Sequence, residues 1–248
     1  LRRRAACLAL VAGRKRWLID ATPDFREQLA ALDARHPGTL EGVFLTHGHA
    51  GHYTGLVHLG REAMAASGVP VWGMPRMRAF LRKNAPWEQL VRLGHIALRP
   101  LAGARPVRPA PGIRITPLPV PHRAEYTETV AFRIEGARRT ALWLPDIDRW
   151  EPWNVPLERA IESVDVAWID GTFFSGAELP GRDISVVPHP TIASTLARLA
   201  ALPARERRKV RFIHLNHTNP AARAGTPERR AVERAGMAVA REGETVTI

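Results

Sequence analysis

Residues 46–55 read THGHAGHYTG: three histidines stand inside six positions, at 47, 49 and 52, separated only by glycine and alanine. In a short extended loop residues i and i+2 point the same way, so His47 and His49 can aim ring nitrogens at one point. His52 lies three further on, where a following helix begins, and points to a neighbouring place. Gly48, Ala50 and Gly51 remove side chains that would crowd an ion. Neutral imidazole is the commonest protein metal ligand and suits zinc, iron and copper. A strand is expected at 42–46 (GVFLT) and a helix at 56–67 (LVHLGREAMAAS). HxHxxH bracketed in this way predicts a metal site rather than three surface histidines.

Outward from that run, AACLALVAG (5–13) and WLID (17–20) flank the basic turn GRKR (13–16) and predict a hairpin. ATPDFREQLAALDARH (21–36) places Phe25, Leu29 and Leu32 at helical spacing, with Thr22 able to cap and Pro23 in the first turn. VPVWG (69–73) predicts a strand, and 74–94 two short helices broken at Pro86. Further strands are expected at 95–101, 113–120, 128–136, 139–145, 164–170 and 210–215. Helices are expected at 190–202 and 226–236, with a closing hairpin at 237–248. Strands in two batches, each interspersed with helices, predict two sheets packed face to face with helices outside. Polar residues at the C-terminal strand ends would then share one groove. With no repeat period, linker or low-complexity segment, one domain over 1–248 is the simplest reading.

Composition narrows the function classes. The chain has 248 residues, 45% hydrophobic and 24% charged, as in ordinary globular proteins. Its formal charge of +12 suggests an anionic partner. Yet all but three of the 36 basic residues are arginine, scattered along the chain, which argues for a solvated basic surface over a nucleic-acid patch. The densest run, RERRKVR at 205–211, reads as a helix end and turn before a strand. A single cysteine, Cys7, in an apolar run, fits a buried strand thiol and a reducing compartment, the cytoplasm. No apolar stretch reaches the ~20 residues of a membrane span.

The stretch FLTHGHAGHYTGL resembles the histidine motif of the metallo-β-lactamase superfamily, HxHxDH followed by glycine. WLIDATPDFREQL, PHR (121–123), LPDID (144–148), IDGTF (169–173), PHPTIASTL (188–196) and FIHLNHTNP (212–220) agree with it in order and spacing. Within the superfamily the chain is most similar to the pyrroloquinoline quinone biosynthesis protein B group, and more distantly to phosphoribosyl cyclic phosphodiesterases and transfer-RNA 3′ processing nucleases. The likeness covers nearly the whole chain, although the first strand and glycine-rich loop usual in these relatives are not present in it. The resemblance implies an α+β fold, a four-layer αββα sandwich, with a metal centre at one edge.

Carried over, it implies that His47, His49 and His122 hold a first metal. Asp146 would bridge to a second, completed by His52 and His214. Each is a ligand-type side chain at the end of an apolar run, with Asp148 competing for the place of Asp146 and His217 for that of His214. His214 is preferred because it ends its strand directly. Gly51 departs from the pattern, since the superfamily usually has a second-metal aspartate there. A three-ligand second site remains chemically open but should bind more weakly. The ion is expected to be zinc, one or two per chain, with manganese or iron as alternatives. His189 resembles the histidine that assists the leaving group in phosphodiesterase relatives. Asp20 and Asp170, ending apolar strands, could orient liganding histidines, as could His217. Tyr53 could touch substrate, and Phe173 and Phe174 could form an aromatic wall or core. Three functions compete: a hydrolase acting on an ester or phosphodiester of a small, anionic molecule; an oxidative or accessory role in quinone-cofactor biosynthesis; and an inactive binding protein. Substrate identity and oligomeric state are not legible.

Overall fold

The computed structural model describes residues 3–181, 183 and 186–248. They form two compact units. One comprises Arg3–Arg105 and Ala124–Val130, the other Pro106–Arg123 and Ala131–Ile248; we call them the amino-terminal and carboxy-terminal units.

The amino-terminal unit is built on a five-stranded sheet of order β1 (Leu8–Ala12), β2 (Lys15–Ile19), β3 (Thr39–Phe44), β4 (Val69–Gly73) and β5 (Ile96–Pro100). β1 and β2 are antiparallel, and every later neighbour is parallel. The basic turn is shorter than its sequence suggests, because Lys15 and Arg16 belong to β2. Arg16 is buried, and its guanidinium pairs with Asp33 and the carbonyls of His36 and Gly38. Helix α1 (Phe25–Arg35) starts after Asp24. Thr22 therefore does not cap it: its hydroxyl accepts from the Asp24 N–H at 3.1 Å and donates to Gln28 Oε1.

The helix expected at 56–67 is instead a four-residue helix α2 (Ala50–Tyr53) followed by a 3-10 turn, Thr54–Leu59. The 3-10 spacing eclipses i and i+3 and so buries Leu56 and Leu59 together. Gly55 is obligatory there, since a Cβ would lie 2.1 Å from the Thr22 carbonyl oxygen. Helices α3 (Pro75–Lys83) and α4 (Trp87–Arg92) follow, separated at Pro86 as expected. The core of the unit joins Leu18, Val43, Val71 and Ile96 of the strands to Phe25, Leu56, Met77, Leu81 and Leu90. Burial of each such side chain contributes roughly 1.5–3 kcal/mol.

The carboxy-terminal unit holds a seven-stranded sheet of order β12 (Ala238–Val239), β11 (Val210–Ile213), β10 (Val166–Asp170), β9 (Thr140–Leu144), β8 (Val130–Glu135), β7 (Ile113–Pro119) and β6 (Val107–Ala110). β9 to β12 are parallel, whereas β8 and β9 form a hairpin. β6 and helix α5 (Leu157–Glu162) were not legible in the sequence pattern, both being short. Helix α6 (Ile192–Leu199) is capped by Thr191, α7 (Ala204–Arg207) occupies the basic run, and α8 (Pro227–Arg234) is capped by Thr226. The closing hairpin does not form. Only Ala238 and Val239 pair, parallel to β11, and Glu244 then turns back to bind the Arg241 N–H and Arg211.

Parallel strands deliver their C-terminal ends to one edge of a sheet, where ligands of open α/β sheets bind. In the amino-terminal unit the register Ile19↔Phe44 sets Asp20 beside the segment Leu45–Thr46. In the carboxy-terminal unit the registers Leu144↔Ile169 and Asp170↔Ile213 bring the residues after β9, β10 and β11 together.

Candidate metal centre

At the strand ends of the amino-terminal unit, Asp20 is fully buried in the left-handed region, φ +69°. Its carboxylate accepts the Thr46 N–H at 2.8 Å and the Thr46 hydroxyl at 2.9 and 3.0 Å, and lies 2.8 Å from His52 Nδ1. A carboxylate only accepts, so His52 Nδ1 carries the proton and Nε2 the lone pair. The Thr46 hydroxyl, its one proton given to Asp20, must accept from His47 Nδ1 at 3.0 Å. His47 is thereby held in the same tautomer. The His47 and His52 rings pack with centroids 4.1 Å apart, and His47 Nε2 lies 2.9 Å from His49 Nδ1. His49 is the N-cap of α2, in extended conformation.

The carboxy-terminal unit repeats the device. Asp170, fully buried at the end of β10, accepts the Thr172 N–H and hydroxyl at 2.9 and 2.8 Å, the Ile147 N–H at 3.1 Å, and faces His189 Nδ1 at 2.7 Å. The Thr172 hydroxyl then accepts from His214 Nδ1 at 3.0 Å. His214, directly after β11, is also left-handed, φ +59°. Its Nε2 lies 3.5 Å from Asp146 Oδ2, and His122 Nε2 lies 3.8 Å from Asp146 Oδ1. His122 Nδ1 meets Asp148 Oδ1 at 2.8 Å. Asp146, Asp170 and His189 each offer a ligand atom within 4.8 Å of the other two. Burial by itself would lower the His189 pKa, but Asp170 and then Asp146 outweigh it and hold the imidazole above its ordinary value.

Within each unit the donors suit a divalent cation on their own chemistry. His47, His52, His122 and His214 each have Nδ1 engaged by a carboxylate or hydroxyl, which leaves Nε2 as the basic nitrogen. Such outer partners orient liganding imidazoles and raise their basicity. Asp20 and His214 hold left-handed backbone at these strand ends, as Ala65 and Ala104 do elsewhere, at roughly 1–3 kcal/mol each.

Residues 15–244 match the Beta-lactamase superfamily domain. The chain belongs to the beta-lactamase superfamily. It is similar to the Coenzyme PQQ synthesis protein B of Methylobacterium radiotolerans, 27% identical over 99% of this chain and 88% of that protein. Among solved structures, Zn(2+)-bound PqqB from Methylobacterium extorquens superposes with a TM-score of 0.83 at 23% identity, covering 99% of this chain and 88% of the other. A diphosphatase of the PhnP family superposes with 0.67 at 21% identity, over 98% and 83%. The fold is that of the metallo-β-lactamases, of class α+β, as the motif implied.

Several residues have places different from those the sequence suggested. Asp148 orients His122. The orienting role expected of His217 falls to Thr172; His217 itself lies exposed in the turn after β11. Tyr53 is a core residue, its ring 4.7 Å from Trp87 and 5.2 Å from Phe80, and burial raises its pKa. Phe173 is buried and meets the His189 ring edge-on at 6.2 Å. Cys7 is half-buried and donates to the Asp20 carbonyl; burial and then the Asp20 charge push its thiol up, away from nucleophile chemistry. Nothing in the sequence pattern marks Thr46 and Thr172, although each stands within two residues of a candidate site group.

Gly51 separates this member from the superfamily pattern. A Cβ there would meet nothing within 4 Å, and the position lies in the first turn of α2, where a carboxylate is favoured. Gly51→Asp is therefore expected to fold normally and to raise zinc bound per chain. Equilibrium dialysis with elemental analysis reads this directly; unchanged stoichiometry would show that position 51 does not face a metal.

Proposed function

We propose that the chain is a metal-dependent hydrolase that cleaves an ester or phosphodiester bond in a small anionic molecule. The observation carrying this reading is that four imidazoles, His47, His52, His122 and His214, each have Nδ1 within 2.8–3.0 Å of a carboxylate or hydroxyl oxygen. By superfamily pattern, His47, His49 and His122 would hold one ion, with Asp146, His52 and His214 for a second. Zinc suits this set, and manganese or iron(II) are compatible with it. A bound ion would supply Lewis acidity, lowering the pKa of water from 15.7 toward ~7 and polarising the scissile carbonyl or phosphoryl group.

The chain's own groups do the rest. Asp20 and Asp170, through Thr46 and Thr172, keep the imidazoles oriented without reorganisation. His189, its Nδ1 on Asp170, whose charge raises its pKa against burial, stands beside Asp146 where it would donate to a leaving oxygen when protonated. The chain's net positive charge favours an anionic substrate, and a diphosphatase stands among its structural neighbours.

A second reading has its own support in the similarity, over 99% or more of this chain and 88% of the relatives, to Coenzyme PQQ synthesis proteins B: a place in the synthesis of that quinone cofactor, with a single iron suited to oxygen chemistry. A hydrolysis assay beside metal analysis of anaerobically purified protein divides the two; zinc by itself does not, since a PqqB is known with Zn(2+) bound. About two zinc or manganese ions per chain, with turnover of a chromogenic phosphodiester or ester, are expected for the hydrolase. About one iron per chain and no hydrolysis would overturn it in favour of the second.

A further inference from the structure

Residues 124–130 cross back to the amino-terminal unit and are tied over its histidine loop. Gly48 N–H donates to Thr127 Oγ1 at 2.8 Å, and Val130 N–H to the Thr46 carbonyl at 3.1 Å. At the start of α3, the Arg76 N–H binds the Glu128 carboxylate and the Arg76 guanidinium the Ala124 carbonyl. The fit is close enough to require glycine at 48, where a Cβ would lie 2.6 Å from Thr127 Cγ2. This strap places Glu125 Oε2 3.1 Å from His49 Nε2.

That contact decides what the His47–His49 pair can be. Thr46 leaves the lone pair of His47 on Nε2, which faces His49 Nδ1 at 2.9 Å. If His49 carried its proton on Nδ1, the two rings would form an ordinary N–H···N hydrogen bond and the pair would be closed to an ion. A carboxylate on Nε2 selects the other tautomer, with the proton toward Glu125 and the lone pair on Nδ1. Two lone pairs at 2.9 Å repel unless a cation is shared between them. Two nitrogens on one tetrahedral zinc stand about 3.3 Å apart, so only a small opening is needed.

We infer that Glu125 is the positioning residue that holds His49 in its Nε2–H tautomer and so converts the His47–His49 pair from a hydrogen bond into a metal-binding pair. The inference rests on His49 being a metal ligand. It assigns one orienting partner to each histidine of the motif: Thr46 to His47, Glu125 to His49, Asp20 to His52. Glu125 comes from the most distant segment and, unlike the buried Thr46 and Asp20, is half solvent-exposed, so it is the member whose removal perturbs the fold least.

The test uses the whole chain. Zinc affinity, by competition with a chromophoric chelator, is expected to fall 10- to 100-fold in Glu125→Ala, the range typical of lost outer partners. Glu125→Gln, whose Oε1 still accepts from Nε2–H, should lose less than about tenfold. Long-range proton–nitrogen spectra of the zinc-free protein should show His49 protonated on Nε2 in the parent and in Glu125→Gln, and on Nδ1 in Glu125→Ala. Parent-like zinc affinity and an unchanged His49 tautomer in Glu125→Ala would overturn the inference while leaving the metal site intact. Parent-like zinc affinity in His49→Ala would instead overturn the reading of the site beneath it.

Discussion

Replacing Asp20 or Asp170 with alanine is expected to destabilise the metal-free protein by several kcal/mol, since it leaves more than one buried donor without an acceptor. Each carboxylate is the shared acceptor of several donors. Asp20 satisfies the Thr46 N–H and hydroxyl and His52 Nδ1; Asp170 satisfies Thr172, Ile147 and His189. Every buried donor left unsatisfied costs roughly 1–3 kcal/mol, and alanine supplies no acceptor. At position 20 it also inherits a left-handed backbone that aspartate tolerates better. Against a total of about 5–15 kcal/mol for a typical domain, such a loss is plain in a urea denaturation curve followed with chelator present. The asparagine variants should lose less, because one oxygen still accepts. Denaturation midpoints equal to the parent's would remove the aspartates from their place as organising groups.

How far these hubs were visible in advance follows from the range of the forces that make them. Asp20 and Asp170 stand out because an acid directly ending an apolar strand is an unusual local event, and periodicity alone locates it. The histidine run is as local. The sheets were legible in two batches, since alternation and β-branched runs act over five to seven residues. What failed depends on tertiary packing. Helix propensity favoured 56–67, but Gly55 must press against Thr22 and both Leu56 and Leu59 must be buried, so the chain tightens into a 3-10 turn. Lys15 and Arg16 looked like turn residues until Asp33 and the carbonyls of His36 and Gly38 drew Arg16 inward. The C-terminal hairpin gave way to a side-chain bond between Glu244 and Arg211. Glu125 lies 76 residues from His49 and belongs to no motif. Threonine hydroxyls were hidden for another reason: a threonine after a strand reads as filler until the carboxylate that takes its proton is seen.

His189→Ala is expected to keep its metal and lose turnover by roughly a hundred- to ten-thousand-fold, the usual contribution of a positioned acid, whereas His47→Ala should lose metal binding itself. The contrast comes from what each ring is bonded to. His47 has its Nδ1 fixed on Thr46 and its Nε2 toward His49, so both nitrogens are committed to the motif. His189 has Nδ1 on the Asp170 carboxylate, with Thr172 at 3.2 Å and Asp146 Oδ1 at 4.0 Å; against burial, Asp170 and then Asp146 raise its pKa and so favour the ring keeping its proton. Asp170→Asn provides the internal check, because it removes the charge that favours the protonated ring and should lower turnover while Thr172 still orients His214. Single-turnover kinetics beside zinc analysis of the three variants separates chemistry from occupancy. A substrate with a good leaving group, which needs little protonation, should recover much of the rate in His189→Ala but none in His47→Ala. Loss of zinc on removing His189 would make it a ligand and move the proton-donor role elsewhere among the groups around Asp146.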